Sequence, residues 1–250
     1  MISVEVSITV FVLLFGGALL GMYFDPFPPA DKLKEETRAH VQVAVGLLTS
    51  MFALLLSLQL SSGKTYFDTQ EQDVTVMAAR TLMLDRVLAH YGPEAQDARE
   101  SLRHSVIDLL DQVWPMERSK VSTWAPRREG DEVYDKIQQL SPKDEDQTSE
   151  KAAALAMAID LGQMRYRSAA RIRSSTAVPL MTVEIAWATI IFVSFGLLAP
   201  RNATVIVSLG ICAAAVAGGF FLIVELNLPF NGLLHASSAP VREALKYLAR

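Results

Sequence analysis

The chain has 250 residues, of which 51% are hydrophobic and 20% are charged, and its mean hydropathy is +0.26. This mean is high for a soluble protein, so we expect the apolar residues to be segregated into membrane-spanning segments. A net charge of −4 without a continuous basic tract argues against nucleic-acid binding, and a single cysteine, Cys212, excludes a disulfide within the chain.

Four long apolar runs predict four transmembrane helices, at about residues 6–24, 41–60, 178–199 and 204–226. Each run has roughly 19 to 23 residues, which is enough to cross a hydrocarbon core about 30 Å thick. The first run has no basic residue before it and no small-residue cleavage site after it, which favours a retained helix over a signal peptide. The predicted fold class is an all-α integral membrane protein with a helical insert between the second and third spans.

The insert shows helical spacing of apolar residues, which continues from the second span without a breaker. "YGPEA" then ends this helix, with Gly92 as the stop and Pro93 in the first turn of the next helix. A short helix is expected near residues 132–140 and a last helix from about Ser149. The predicted buried faces are Phe67, Val74, Met77, Leu84 and Leu88 in the first helix, Ala95, Leu102, Val106, Leu109 and Val113 in the second, and Ala152, Leu155, Ile159 and Tyr166 in the last.

The distribution of basic residues predicts the orientation in the membrane. Eight lysines and arginines flank the spans on the side of the insert and the two termini, against four on the other side. The positive-inside rule therefore places the insert and both termini in the cytoplasm of a bacterial inner membrane. The predicted divisions are a transmembrane hairpin at 1–64, a cytoplasmic helical domain at 65–177, and a second hairpin with a short cytoplasmic tail at 178–250.

Two carboxylates fall inside or at the end of apolar runs. Glu184 lies about two turns into the third span and Glu225 ends the fourth, so the topology puts both in one leaflet, where Lys64, Arg171 and Arg173 are available as counter-ions. Such groups usually face protein or water. Either they accept structural hydrogen bonds, or they line a hydrated mouth that attracts cations or protons. The residues expected to shape the chain's exit from the fourth span are Asn227, Pro229, Phe230 and Gly232.

Small residues form stripes that predict close helix packing: Gly46, Ser50, Ala53 and Ser57 on the second span, and Gly210, Ala214 and Gly218 on the fourth. A neighbouring face of the second span carries Leu48, Phe52 and Leu56. These three residues are candidates for an apolar constriction that gates ions, and the alternative is that they face lipid.

The four histidines are scattered without a metal-ligand spacing. The sequence also has no phosphate-binding glycine loop and no nucleophile elbow. We therefore expect no enzymatic activity, no metal site and no cofactor.

Three segments resemble a bacterial membrane-protein family with a bestrophin-like domain: "YFDTQ" (66–70), "LDRVLAHYGPEAQDARESLR" (84–103) and "FFLIVELNLPFNGLL" (220–234). The resemblance covers nearly the whole chain. It implies a homo-oligomeric ion channel, a pentamer by analogy with bestrophins, in which the second membrane helix lines an apolar neck. Its expected partners are the lipid bilayer, small ions and other copies of the chain. By that analogy Leu48, Phe52 and Leu56 are neck candidates.

Two other functions compete with the channel. The first is a non-conducting membrane scaffold or signalling protein that binds a partner through its cytoplasmic helices. The second is a proton-coupled carrier that uses Glu184.

Overall fold

The computed structural model describes residues 2–23, 35–115, 129–173 and 177–248, and within these ranges the regular structure is entirely helical. A 3₁₀ turn at Pro93–Ala95 separates the second and third α-helices. The α-helices are α1 (Ile2–Tyr23), α2 (Glu35–Tyr91), α3 (Gln96–Val113), α4 (Glu129–Gln138), α5 (Glu145–Arg173), α6 (Ala177–Leu198), α7 (Ala203–Leu226) and α8 (Ala239–Leu248).

Four of the described helices, α1, α2, α6 and α7, are long and apolar enough to cross a membrane, which confirms the predicted spans. The last residue of the first predicted span, Phe24, lies outside the described residues. The prediction that the second span continues into the insert without a break is also confirmed. At 57 residues, α2 extends about 85 Å, far more than one bilayer needs.

The end of α2 follows the predicted turn chemistry. Gly92 has a φ of 119°, a conformation that residues with a Cβ rarely adopt. Pro93 then occupies the first turn of the 3₁₀ segment, where its missing N–H has no helical partner to lose.

The chain divides into two compact units, each with its own core. The membrane unit comprises Met1–Tyr66 and Thr176–Leu228, and the insert unit comprises Phe67–Ser175 and Pro229–Arg250. Residues 229–248 therefore pack with the insert.

In the membrane unit, α1 packs closely against both α6 and α7. Its backbone approaches α6 where Gly21 and Gly196 leave room: a Cβ added at Gly21 would lie 3.1 Å from the carbonyl carbon of Val193. The core consists mostly of apolar side chains from α1, α6 and α7, including Leu14, Phe192 and Phe220. Without a hydrophobic driving force between helices in lipid, such close packing is a main source of association.

The insert unit buries the faces predicted for its first two helices. All five residues predicted for the second helix are buried, four on α3 and Ala95 in the 3₁₀ turn before it. On α2 four of the five are buried while Phe67 is half-buried. The face predicted for α5 is wrong. Ala152, Ile159 and Tyr166 are exposed and Leu155 is only half-buried, whereas Ala154, Ser168 and Ala169 are buried. The core contacts of α5 come from a different face, which carries Met157, Leu161 and Met164 as well as Ala154.

The tail after the fourth span contains a helix that the sequence reading missed. Val241, Ala244 and Leu248 on α8 are buried in the insert core. Their spacing is that of an amphipathic helix, and Ser238, whose carbonyl accepts from the Arg242 N–H at 3.0 Å, precedes the first turn. The spacing of the apolar residues and the serine before the helix are both visible in the sequence.

Candidate functional site

Both membrane carboxylates are buried: Glu184 is 2% exposed and Glu225 is 1% exposed. Glu184, on α6, contacts the side-chain amide of Gln59 on α2. With the amide nitrogen towards the carboxylate, it donates to the two Glu184 oxygens at 2.9 and 3.3 Å. Glu225, at the end of α7, accepts a short hydrogen bond from the hydroxyl of Ser3 at the start of α1. Each carboxylate therefore accepts a hydrogen bond from a neutral side chain.

The two carboxylates lie near the same end of the membrane unit, as the contacts of their helices with α2 show. Gln59 faces Glu184, and Gly63, one turn further along α2, faces the residue after Glu225: a Cβ added at Gly63 would lie 3.4 Å from the Cβ of Leu226. The four residues from Gln59 to Gly63 correspond to about 6 Å along the helix axis. Of the expected counter-ions, Lys64 is exposed, and the side chains of Arg171 and Arg173 lie outside the described residues.

The residues expected at the chain exit have structural contacts. Asn227 caps α7, and its side-chain amide donates to the carbonyl of Ile223 at 2.8 Å. In the insert unit, the carbonyl of Pro229 accepts from the N–H of Ala236 at 2.7 Å, and Phe230 packs edge-on against Trp114 with ring centroids 5.5 Å apart. The Trp114 indole also donates to the carbonyl of Ala236 at 2.9 Å. Gly232 is half-buried.

The membrane part of α2 has differently covered faces. The face with Leu48, Phe52 and Leu56 packs into the core of the same membrane unit, and Phe52 is 6% exposed. The small-residue stripe lies about 130° away around the helix. It consists of Gly46, Ser50, Ala53 and Ser57, all of which are exposed.

Packing by the small-residue stripes is limited within the chain. Gly46 and Gly218 have no atom within 4 Å of an added Cβ, and Ala214 is exposed. Gly210 does pack, with the ring of Phe15 at 3.4 Å from its added Cβ. A packing role for the α2 stripe therefore stays a prediction about contacts between chains.

Sequence reasoning missed the glycines that do bring helices together: Gly17 and Gly21 on α1, and Gly196 on α6. The signal was available, because "GALLG" at residues 17–21 has the G-x-x-x-G spacing of a close helix crossing.

The 84–103 segment forms a polar clamp within the insert unit. Arg99 on α3 donates to both carboxylate oxygens of Asp85 on α2, at 2.7 and 3.1 Å. These hydrogen bonds raise the pKa of Arg99. In the 3₁₀ turn that follows α2, Glu94 forms a salt bridge with Lys143, and the hydrogen bond from Lys143 lowers the pKa of the Glu94 carboxyl.

Other site types find little support in the described structure. Among the described residues, no group of three or more His, Cys, Asp or Glu side chains is arranged to hold a metal ion. The insert unit contains a partly open cavity of about 40 Å³, lined mainly by apolar side chains together with Thr81, Ser105 and Arg165. This volume holds a few waters, whereas pockets for organic ligands are about 300–1,000 Å³.

The four apolar helices and the buried carboxylates among them define an all-helical integral membrane protein. A family model for the bestrophin-like domain matches residues 12–241, so the chain belongs to the bestrophin-like domain family, as its sequence motifs suggested. Neither a curated protein nor a solved structure gives a significant match.

Proposed function

We propose that the protein is a homo-oligomeric ion channel of the bacterial inner membrane, in which copies of α2 surround a central pathway for small ions. The insert unit and both termini lie in the cytoplasm, and the subunit number is five by analogy with bestrophins. Membership of the bestrophin-like domain family supports channel function over catalysis. Four spans per subunit enclose little space, so further walls come from other copies.

The observation that carries this proposal is the exposure of α2. Only 11% of its apolar stretch is buried, against 22–28% for the other three membrane helices. Its exposed surface includes the hydroxyl-bearing residues Ser50 and Ser57. Small hydroxyl residues let helices approach closely and also tolerate water, so this surface suits contacts between subunits around a pathway.

Two faces of α2 are candidates to line the proposed ion pathway. Leu48, Phe52 and Leu56 were predicted as an apolar neck, but they pack into the core of their own subunit. The stripe containing Ser50 and Ser57 is exposed, and the described residues of the chain do not cover it. The burial of Phe52 favours the stripe, and the neck stays a prediction that the same experiment tests.

Flux measurements on the purified full-length chain in sealed liposomes test the function. We expect protein-dependent flux of small ions down a salt gradient. Flux that is absent at all tested voltages, pH values and ion compositions would refute the channel and favour the scaffold.

Cysteine accessibility then identifies the lining face. The native Cys212 is exposed, so it is first replaced by alanine. Ser57→Cys tests the stripe, Phe52→Cys tests the neck, and Val207→Cys, at an exposed apolar position on α7, is the lipid-facing control. A charged, membrane-impermeant thiol reagent is expected to reduce flux through Ser57→Cys and to leave Val207→Cys unchanged. Inhibition only at Phe52→Cys would support the predicted apolar neck as the lining face. Inhibition at neither α2 position would show that α2 does not line the pathway.

A further inference from the structure

The contact between Gln59 and Glu184 has an unusual chemical property. An ionised carboxylate only accepts hydrogen bonds, whereas a protonated carboxyl also donates one. A primary amide carries a donor and an acceptor on one group. Turning the Gln59 amide over therefore presents either its N–H to an ionised Glu184 or its carbonyl oxygen to a protonated Glu184. The separations of 2.9 and 3.3 Å between the amide and the carboxylate oxygens suit both arrangements.

We propose that Glu184 and Gln59 form a reversible proton-binding site in the membrane unit, in which the Gln59 amide turns over as Glu184 gains or loses its proton. The proton comes from water, forms an O–H bond on one Glu184 oxygen, and returns to water on release. The side chain changes from one negative charge to neutral, and the hydrogen bond to α2 is kept in both states. A lysine at position 59 would serve only the ionised form.

Among the described residues, the other ionisable side chains near this end of the membrane unit are Glu225 on α7, Glu5 on α1, and Lys64 and Tyr66 on α2. Glu225 is buried and accepts from Ser3, whereas Glu5 and Lys64 are exposed. Among the described residues, the polar contact of the Glu184 carboxylate is with Gln59. Proton binding does not require the protein to conduct ions. If the proposed channel is correct, the switch in charge lies directly against its lining helix, so flux should depend on pH.

Infrared difference spectroscopy of the full-length protein in lipid bilayers tests the site without measuring transport. As the pH is lowered, we expect the carbonyl stretch of a protonated carboxyl in an apolar environment to appear. This band should be absent in Glu184→Gln, which is close in size and cannot titrate, and it should remain in Glu5→Gln. A band that persists unchanged in Glu184→Gln overturns the proposal.

Substitutions of Gln59 test the role of the amide. A hydrogen bond to a charged acceptor is stronger than one between neutral groups, so Gln59→Leu should move the midpoint of the titration upwards by about one pH unit. Gln59→Lys adds a cation and should move the midpoint downwards by at least as much. Ser61→Ala, on an exposed part of α2, should leave it unchanged. A midpoint that is the same in wild type, Gln59→Leu and Gln59→Lys overturns the role of Gln59.

The two proposals fail in distinguishable ways. A titrating Glu184 band without ion flux keeps the proton site and removes the channel. Flux without a titrating band removes the proton site and keeps the channel. Each variant is first compared with wild type by its elution in size-exclusion chromatography, and Glu184→Asp provides a second, still titratable, variant if Glu184→Gln does not assemble.

Discussion

A methyl group at Gly196 tests the packing of α1 against α6. The added carbon of Gly196→Ala would lie 2.9 Å from the carbonyl carbon of Ala18, 3.0 Å from the amide nitrogen of Met22, and closer still to the Ala18 oxygen. Ordinary contact begins at 3.4 Å, so the shortfall is about 0.5 Å at the carbonyl carbon alone. All three of these atoms belong to the backbone of α1. The methyl group therefore fits only if the two helices move apart.

The expected destabilisation follows from overpacking. Forcing extra volume into a packed interior typically costs about 1–3 kcal/mol, whereas replacing glycine by alanine in an unconstrained helix gains up to about 1 kcal/mol. Gly16→Ala, on α1, is the matched control because nothing lies within 4 Å of its added Cβ. Both variants gain the same helix propensity, so their free energies of unfolding should differ by the overpacking cost alone, about 1–3 kcal/mol.

Unfolding of the full-length chain in mixed micelles, induced by a denaturing detergent and followed by circular dichroism, measures this difference. Gly218→Ala on α7 is a second control with open space around its added Cβ. If Gly196→Ala is as stable as Gly16→Ala, α1 and α6 do not approach closely at Gly196, and the packing proposed for the core of the membrane unit is refuted.

Three further predictions concern the insert unit, and the same unfolding measurement checks each of them. Asp85→Asn should lower the free energy of unfolding by about 1.5–3 kcal/mol, because it removes the charge from the two hydrogen bonds with Arg99. Trp114→Phe should lower it by about 1–3 kcal/mol, because a buried carbonyl loses its indole donor. The pair of Glu94 and Lys143 should give a small pH effect: the Glu94 pKa lies below its ordinary value near 4.5, so the stabilisation is present above that value and is lost as the pH falls through the lowered pKa.

Each of these three predictions has a control. Asp111→Asn alters an exposed carboxylate on the same helix as Arg99 and should change stability little. Trp114→Tyr keeps an aromatic ring with a polar group, and a full loss of stability there would show that ring size rather than the hydrogen bond matters. Glu94→Gln should remove part of the acid dependence, and an unchanged pH profile would show that the exposed pair contributes nothing measurable.

The sequence predicted elements whose environment changes around the helix. α3 has a polar face and an apolar face, so its period identified the four large apolar residues that it buries, Leu102, Val106, Leu109 and Val113. α5 failed because apolar residues occur on more than one of its faces, and the face with Met157, Leu161 and Met164 contacts the core while Ile159 and Tyr166 are exposed. The break at Gly92 and Pro93 was predictable because only a few residue types suit that backbone.

Inside the membrane unit the sequence predicted spans but not contacts. A helix that is apolar on every side gives no period from which its rotation can be read, so the partners of Glu184 and Glu225 remained unknown. Gln59 and Ser3 became visible only once the helices were packed. The same uncertainty in rotation affected α2, where Phe52 faces the core and Ser57 faces outwards.

The segments that carry the family resemblance differ in what they imply about function. The 84–103 segment supplies Asp85, Gly92, Glu94 and Arg99, whose contacts and backbone conformation hold the insert unit together. The 220–234 segment supplies Glu225, which binds Ser3 within the membrane unit. Contacts of this kind stabilise the fold and do not by themselves specify what the fold does. The resemblance therefore supports the architecture directly. The two proposals are tested at positions outside these segments: Ser57 on α2 for the channel, and Gln59 on α2 with Glu184 on α6 for the proton site.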